Sequence, residues 1–149
     1  LCRMADMGIK LSVGTDGSAS NNALDMFREM YLATVLQKLK LDDAAAMPAD
    51  KVLEMAAVGG ARTMGLDDCD TLEKGKKADL IVIDLDMPNM QPVNNIVKNL
   101  VYSGSKENVV LTMVNGKILY RDGEYYIGEE PQYIFRKANE IAKRINASV

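Results

Sequence analysis

Residues 9–22, Ile-Lys-Leu-Ser-Val-Gly-Thr-Asp-Gly-Ser-Ala-Ser-Asn-Asn, constrain this chain more than any other stretch. Ile9, Leu11 and Val13 alternate with Lys10 and Ser12, and that period of two predicts a strand. The strand runs into Gly14-Thr15-Asp16-Gly17, and a helical pattern begins around Asn22. Asp16 therefore falls where a strand ends and the chain turns toward a helix. α/β folds collect ligands at the carboxyl ends of their strands, so a carboxylate there is a candidate metal ligand or proton carrier. Asp-Gly is also a common turn dipeptide, because aspartate tolerates unusual backbone angles and glycine adopts them freely. Both readings stand on these residues alone.

The neighbouring elements follow the same alternation of types. Residues 1–8 read as the end of a helix, with Gly8 as a left-handed cap leading into the strand. After the Asp16 loop, Ser20, Asn21 and Asn22 offer N-cap side chains. Leu24, Phe27, Tyr31, Val35 and Leu39 then follow the stripe of an amphipathic helix, broadened by Met26, Met30, Leu32 and Leu36, with Asp25, Arg28 and Glu29 on a solvated side. The methionines read as core fillers. Pro48 suits the first turn of a second helix running to about Met64, capped by Gly65. Its small residues, Ala56, Ala57, Gly59, Gly60 and Ala61, predict close packing against another element.

Composition shifts after Leu66. Asp67-Asp68-Cys69-Asp70-Thr71 and Glu73-Lys74-Gly75-Lys76-Lys77 are polar and turn-rich, and read as a solvated loop rather than a cation site. Leu80–Ile83 is a short branched apolar run, predicted to be a buried strand. Pro88 and Pro92 mark a loop, and 96–102 fits either a helix or a strand. Val109–Val114 is a strand by composition; Asn115-Gly116 and Asp122-Gly123 are hairpin turns, so 109–127 predicts an antiparallel meander. Pro131 opens a last helix, with Ile134, Ala138, Ile141 and Ile145 as its apolar stripe and Arg136, Lys137, Lys143 and Arg144 outside. The chain thus divides into an α/β piece over 1–66 and a β piece with a closing helix over 67–149.

Several function classes are excluded by what the chain lacks. Of 149 residues, 18 are basic and 21 acidic, for a net charge of −3, with no basic block to attract nucleic acid or an anionic membrane. No apolar run approaches the roughly 20 residues that span a bilayer. Leu1–Asp6 carries charges where a signal peptide would be apolar. Cys2 and Cys69 lie far apart and read as reduced thiols, so a cytoplasmic protein is expected. There is no histidine, hence no His-based general base and no complete His-ligated metal centre within these residues. A chain opening on Leu1 reads as part of a longer polypeptide.

Five motifs in order carry a family resemblance: Val13-Gly14-Thr15-Asp16-Gly17 with Ser20-Asn21-Asn22 and Leu24-Asp25-Met26; Gly59-Gly60-Ala61-Arg62 with Gly65-Leu66; Gly75-Lys76-Lys77-Ala78-Asp79-Leu80 with Asp84-Leu85-Asp86; Asn99-Leu100-Val101-Tyr102-Ser103; and Val114-Asn115-Gly116-Lys117. Together they resemble the C-terminal portion of metal-dependent amidohydrolases, most of all the 5-methylthioadenosine/S-adenosylhomocysteine deaminases and their chlorohydrolase relatives. The resemblance implies a (β/α)8 barrel whose last strand and helices are 1–66, joined to a small β-sandwich to which 67–149 contributes. It implies that Asp16 binds or approaches a metal, usually zinc, contacts substrate, and shuttles a proton between the attacking water and the leaving amine. The histidine ligands of that family are absent here, so the resemblance implies a C-terminal third that is inactive and metal-free alone. A small nucleoside-like substrate and a homo-oligomer are the expected partners. A chlorohydrolase or other aromatic-ring aminohydrolase is the alternative within the superfamily, and a non-catalytic binding or oligomerisation module the alternative of another class.

Overall fold

A computed structural model describes residues 1–147 of the chain. The N-terminal half is helical. Helix α1, Cys2–Asp6, ends at Met7, and Gly8, with φ of 74°, lets Ile9 donate back to the Met4 carbonyl at 3.1 Å. Residues 9–13 form no strand. The alternating pattern is there, with Leu11 and Val13 half-buried against the core. A strand, however, is defined by its ladder, and among the described residues no strand lies beside this segment. Instead the Val13 N–H donates to the Met55 carbonyl at 3.2 Å.

Helix α2 spans Met26–Leu41 and starts later than the cap residues suggested. Its N-cap is Asp25, whose Oδ1 accepts from the amides of Phe27 and Arg28. Leu24, with φ of 45°, stays outside the helix. The buried face is Phe27, Met30 and Thr34, turned about one residue from the expected stripe: Tyr31 is 44% and Leu39 80% exposed. The sequence hides this because Thr34 is polar. Its hydroxyl is satisfied by donation to the Met47 carbonyl at 2.7 Å, and a satisfied hydroxyl can be buried at little cost.

The second long helix is continuous but changes its winding. Helix α3, Ala49–Glu54, passes through a π-helical turn, Met55–Gly59, into α4, Gly60–Thr63. Pro48 is its N-cap rather than a first-turn residue. Gly65, with φ of 72°, closes it as expected. The predicted close approach is real: a Cβ on Gly59 would lie 2.5 Å from the Leu11 carbonyl oxygen.

The C-terminal half is built on one antiparallel sheet in the order β1-β2-β3-β4, with β1 Leu80–Ile83, β2 Val109–Val114, β3 Lys117–Arg121 and β4 Glu124–Tyr125. The meander holds. Asn115 and Gly116 turn at φ of 48° and 76°, Asp122 and Gly123 at 48° and 92°, the doubly positive pair that suits a right-twisted hairpin. The last strand is shorter than expected, ending at Tyr125. Strand β1 is not buried as its apolar run suggested: Ile81 is 49% and Val82 46% exposed. It is an edge strand, paired with β2 alone among the described residues. Residues 96–102 resolve as helix α5, capped by the Asn95 side chain. Helix α6, Pro131–Asn146, buries no residue.

One apolar cluster holds these parts together. Phe27, Met30, Met47, Ala49, Val52 and Met55 pack with Val101 of α5, and Ile83, Val97, Leu100 and Val109 join its margin. The core therefore continues across residues 66 and 67. The Thr34 hydroxyl and Tyr102 hydroxyl, 3.3 Å apart, add a polar contact between α2 and α5.

Candidate functional site

Asp16 stands three residues beyond the point where Val13 is anchored to the π-helical turn. The intervening Gly14-Thr15 carries it clear of the core, and its side chain is exposed. Asp16 itself has φ of 58°, a left-handed conformation that aspartate accepts more readily than most residues. The following amide folds back onto its carboxylate, the Gly17 N–H donating to Asp16 Oδ1 at 2.6 Å. That amide first, and the Ser20 hydroxyl second, hold the Asp16 carboxyl below the ordinary carboxylate range, because hydrogen bonds to the charged form favour it. The carboxylate is thus ionised at neutral pH and aimed outward by its own loop.

The loop after Asp16 is tied to helix α2. Both the Ser20 and Asn21 amides donate to the Gly17 carbonyl, at 3.0 and 2.9 Å. The Asn21 side chain accepts from the Ala23 amide at 3.0 Å through Oδ1 and donates to Glu29 Oε1 at 2.7 Å through Nδ2. Ser20, Asn21 and Asn22 are therefore not helix caps. Glu29, expected on a solvated side, is half-buried and bonded to the loop. Sequence reading missed this pair because nothing local marks an asparagine for a glutamate eight residues on.

The acidic stretch over 67–70 also differs from expectation. Asp70 is buried, its side chain only 3% exposed, held by Arg62 Nε at 2.9 Å and by Lys76 Nζ. Asp68 pairs with Lys77 at 2.7 Å on the surface. Two of the motif cations, Arg62 and Lys76, thus converge on one carboxylate. The Lys76 ammonium first, then the Arg62 guanidinium, lower its pKa to about 2. This is an ion-pair staple between the end of α4 and the loop before β1, not a cation site.

Among the described residues no group of three or more histidine, cysteine, aspartate or glutamate side chains could hold a metal ion. Asp16 offers one carboxylate, and one carboxylate does not make a zinc site. No described helix is long and apolar enough to cross a membrane.

Comparison with known proteins gives this arrangement a context. Residues 2–119 match the model of the amidohydrolase family. The 5'-deoxyadenosine deaminase of Methanothermobacter thermautotrophicus is 40% identical over 145 residues, 97% of this chain and 34% of that protein. The 5-methylthioadenosine/S-adenosylhomocysteine deaminase of Desulforudis audaxviator is 40% identical over 148 residues, 99% of this chain and 34% of that protein. Among solved structures, a zinc-bound adenosine deaminase from Xanthomonas campestris superimposes with a TM-score of 0.92 at 34% identity, covering 98% of this chain and 33% of that one. A zinc complex of atrazine chlorohydrolase from Arthrobacter aurescens TC1 gives 0.81 at 26% identity, over 91% and 30%. The chain spans about a third of the length of each of these relatives. A match over most of its residues, with motifs in order and the fold in register, leaves one assignment: the chain belongs to the amidohydrolase family.

Proposed function

We propose that this chain is part of a zinc-dependent hydrolytic deaminase that acts on adenine thionucleosides, of the 5-methylthioadenosine and S-adenosylhomocysteine type, and releases ammonia. In this reading residues 1–66 are the last strand and helices of a metal-dependent hydrolase barrel. Residues 67–149 belong to its β-sandwich and closing helix. The observation that carries the reading is the placement of Asp16: an ionised carboxylate projecting from the segment that Val13 anchors, on a chain 40% identical to proteins named as deaminases of such nucleosides.

The chemistry assigned to this chain is proton handling. A divalent metal, if bound in the whole protein, would supply a water of lowered pKa. Asp16 would stand beside that centre with the remaining ligands provided outside these residues. Its carboxylate takes a proton from the attacking water and returns it to the amino group as that group leaves, so one side chain serves first as base and then as acid. The Gly17 amide fixes Oδ1 for this role.

A chlorohydrolase or another aromatic-ring aminohydrolase remains the second reading, favoured by the structural likeness to atrazine chlorohydrolase. The nucleoside reading is preferred on identity, 40% against 26%. The test is ammonia release by the whole protein from methylthioadenosine, adenosylhomocysteine and a chlorinated triazine. Turnover is expected on the nucleosides, and Asp16→Asn is expected to lower kcat by about 10²–10⁴-fold. Full activity of that variant would sink the proton-carrier role, and turnover of the triazine alone would select the second reading.

A further inference from the structure

We infer that Asn21, through its bond to Glu29, is a positioning residue for Asp16, locking the catalytic loop to the first turn of helix α2. This rests on the reading of Asp16 given above. The connection runs through named bonds. Glu29 Oε1 accepts from Asn21 Nδ2 at 2.7 Å, the Asn21 amide donates to the Gly17 carbonyl at 2.9 Å, and the Gly17 amide donates to Asp16 Oδ1 at 2.6 Å. Asn21 thus grips the residue that grips Asp16.

The asparagine is chemically specific here. A carboxylate on one side demands a donor, and an amide N–H on the other demands an acceptor. Only a primary amide of this length offers both at once, and the two demands also fix which way the amide faces. Glu29 is an apt anchor because it sits in the first turn of α2, beside the buried Phe27 and Met30 in sequence, so its backbone moves with the core. The Asp16 loop has no such support of its own: residues 14 and 16–20 are exposed. Without the clamp, the side-chain tie between this loop and the helix is lost, while the loop's internal turn at Gly17 would persist. Position would be lost before structure.

The test uses the whole protein and a compensated pair. Asn21→Asp keeps the acceptor for the Ala23 amide but sets a carboxylate against Glu29. Glu29→Gln keeps an acceptor for Asn21. In the double variant the carboxamide lies on the helix side and donates, and the carboxylate lies on the loop side and accepts, which rebuilds the bond with its polarity reversed. Asn21→Asp is expected to lower kcat by roughly 10–100-fold with KM changed far less, the signature of a displaced reacting group. Glu29→Gln and the double variant are expected within about 3-fold of the parent, since each retains the bond. Hydrogen exchange over residues 14–23 reads the same clamp without catalysis: faster in Asn21→Asp, restored in the double variant. Should Asn21→Asp fail to fold, Glu29→Ala cuts the same bond from the helix side and carries the same expectations. Unchanged kcat and exchange on cutting the bond, or a double variant no better than Asn21→Asp, would overturn the inference. If Asp16→Asn were active, the reading of Asp16 would fall, and the exchange measurement would still decide whether the clamp orders the loop.

Discussion

At the scale of single residues, Asp70 shows how a charge becomes part of the fold. A buried carboxylate is tolerable only when paired and hydrogen-bonded, and Arg62 and Lys76 supply both requirements. Its pKa is lowered to about 2. A depressed carboxylate pKa contributes stability above the unfolded-state value, near 4, and that contribution disappears as pH falls through the folded value. Stability of the whole protein is therefore expected to drop between about pH 4 and 2. Asp70→Asn should lower Tm at neutral pH, because two cations then face an amide, and should flatten the acid limb. Thermal unfolding from pH 2 to 7 checks this, and a variant whose acid limb matches the parent's would show that Asp68 and Asp16, also shifted downward, set it instead. The staple was not legible beforehand. Asp67, Asp68 and Asp70 have the same local composition, and only the return of the chain past Arg62 separates the buried one from the solvated ones.

At the scale of elements, the helix over 49–63 does more than its propensity suggests. Paired glycines cost about 1 kcal/mol each relative to alanine inside a helix, yet Gly59 sits where a Cβ would meet Leu11. Gly59 closes the π-helical turn that Met55 opens, the Met55 carbonyl receives the Val13 amide, and such turns recur at functional sites. Met55 anchors this junction from within, at 2% exposure. Met55→Ala is expected to cost about 2–5 kcal/mol, the range for emptying a buried methionine site. Denaturant unfolding measures it, and a cost below about 1 kcal/mol would mean the turn relaxes to fill the void. The small-residue run, the Gly65 cap and both hairpin turns could be read from sequence, because their signals are local. The π turn could not, since residues 55–59 carry no residue type or spacing that sets them apart from an ordinary α-helical turn. Residues 9–13 show the converse: the alternating pattern is correct, but pairing needs a neighbour that local pattern does not supply.

At the scale of the whole molecule, apolar surface remains where a closed fold would hide it. Leu39, Met64 and Leu72 are 72–80% exposed, and helix α6 leaves Tyr133, Ile134, Phe135, Ile141 and Ile145 between 40% and 61% exposed. Among the described residues, strand β1 pairs on one side only. A bare strand edge offers unpaired N–H and C=O groups to another chain, and broad apolar patches favour association. The net charge of −3 gives little repulsion against it. These residues alone, produced as a 149-residue chain, are expected to self-associate, with a weight-average mass that rises with concentration. The whole protein should show one mass over the same range, whether that of a monomer or of a closed oligomer. Sedimentation at several concentrations distinguishes them. The same two preparations separate the metal question, because Asp16 without its partners should retain far less than one zinc per chain in equilibrium dialysis, while the whole protein should hold about one. A 149-residue chain that stayed monomeric and bound one zinc would refute both expectations at once: its exposed surface would be stable as it stands, and its single carboxylate would have found ligands within the described residues.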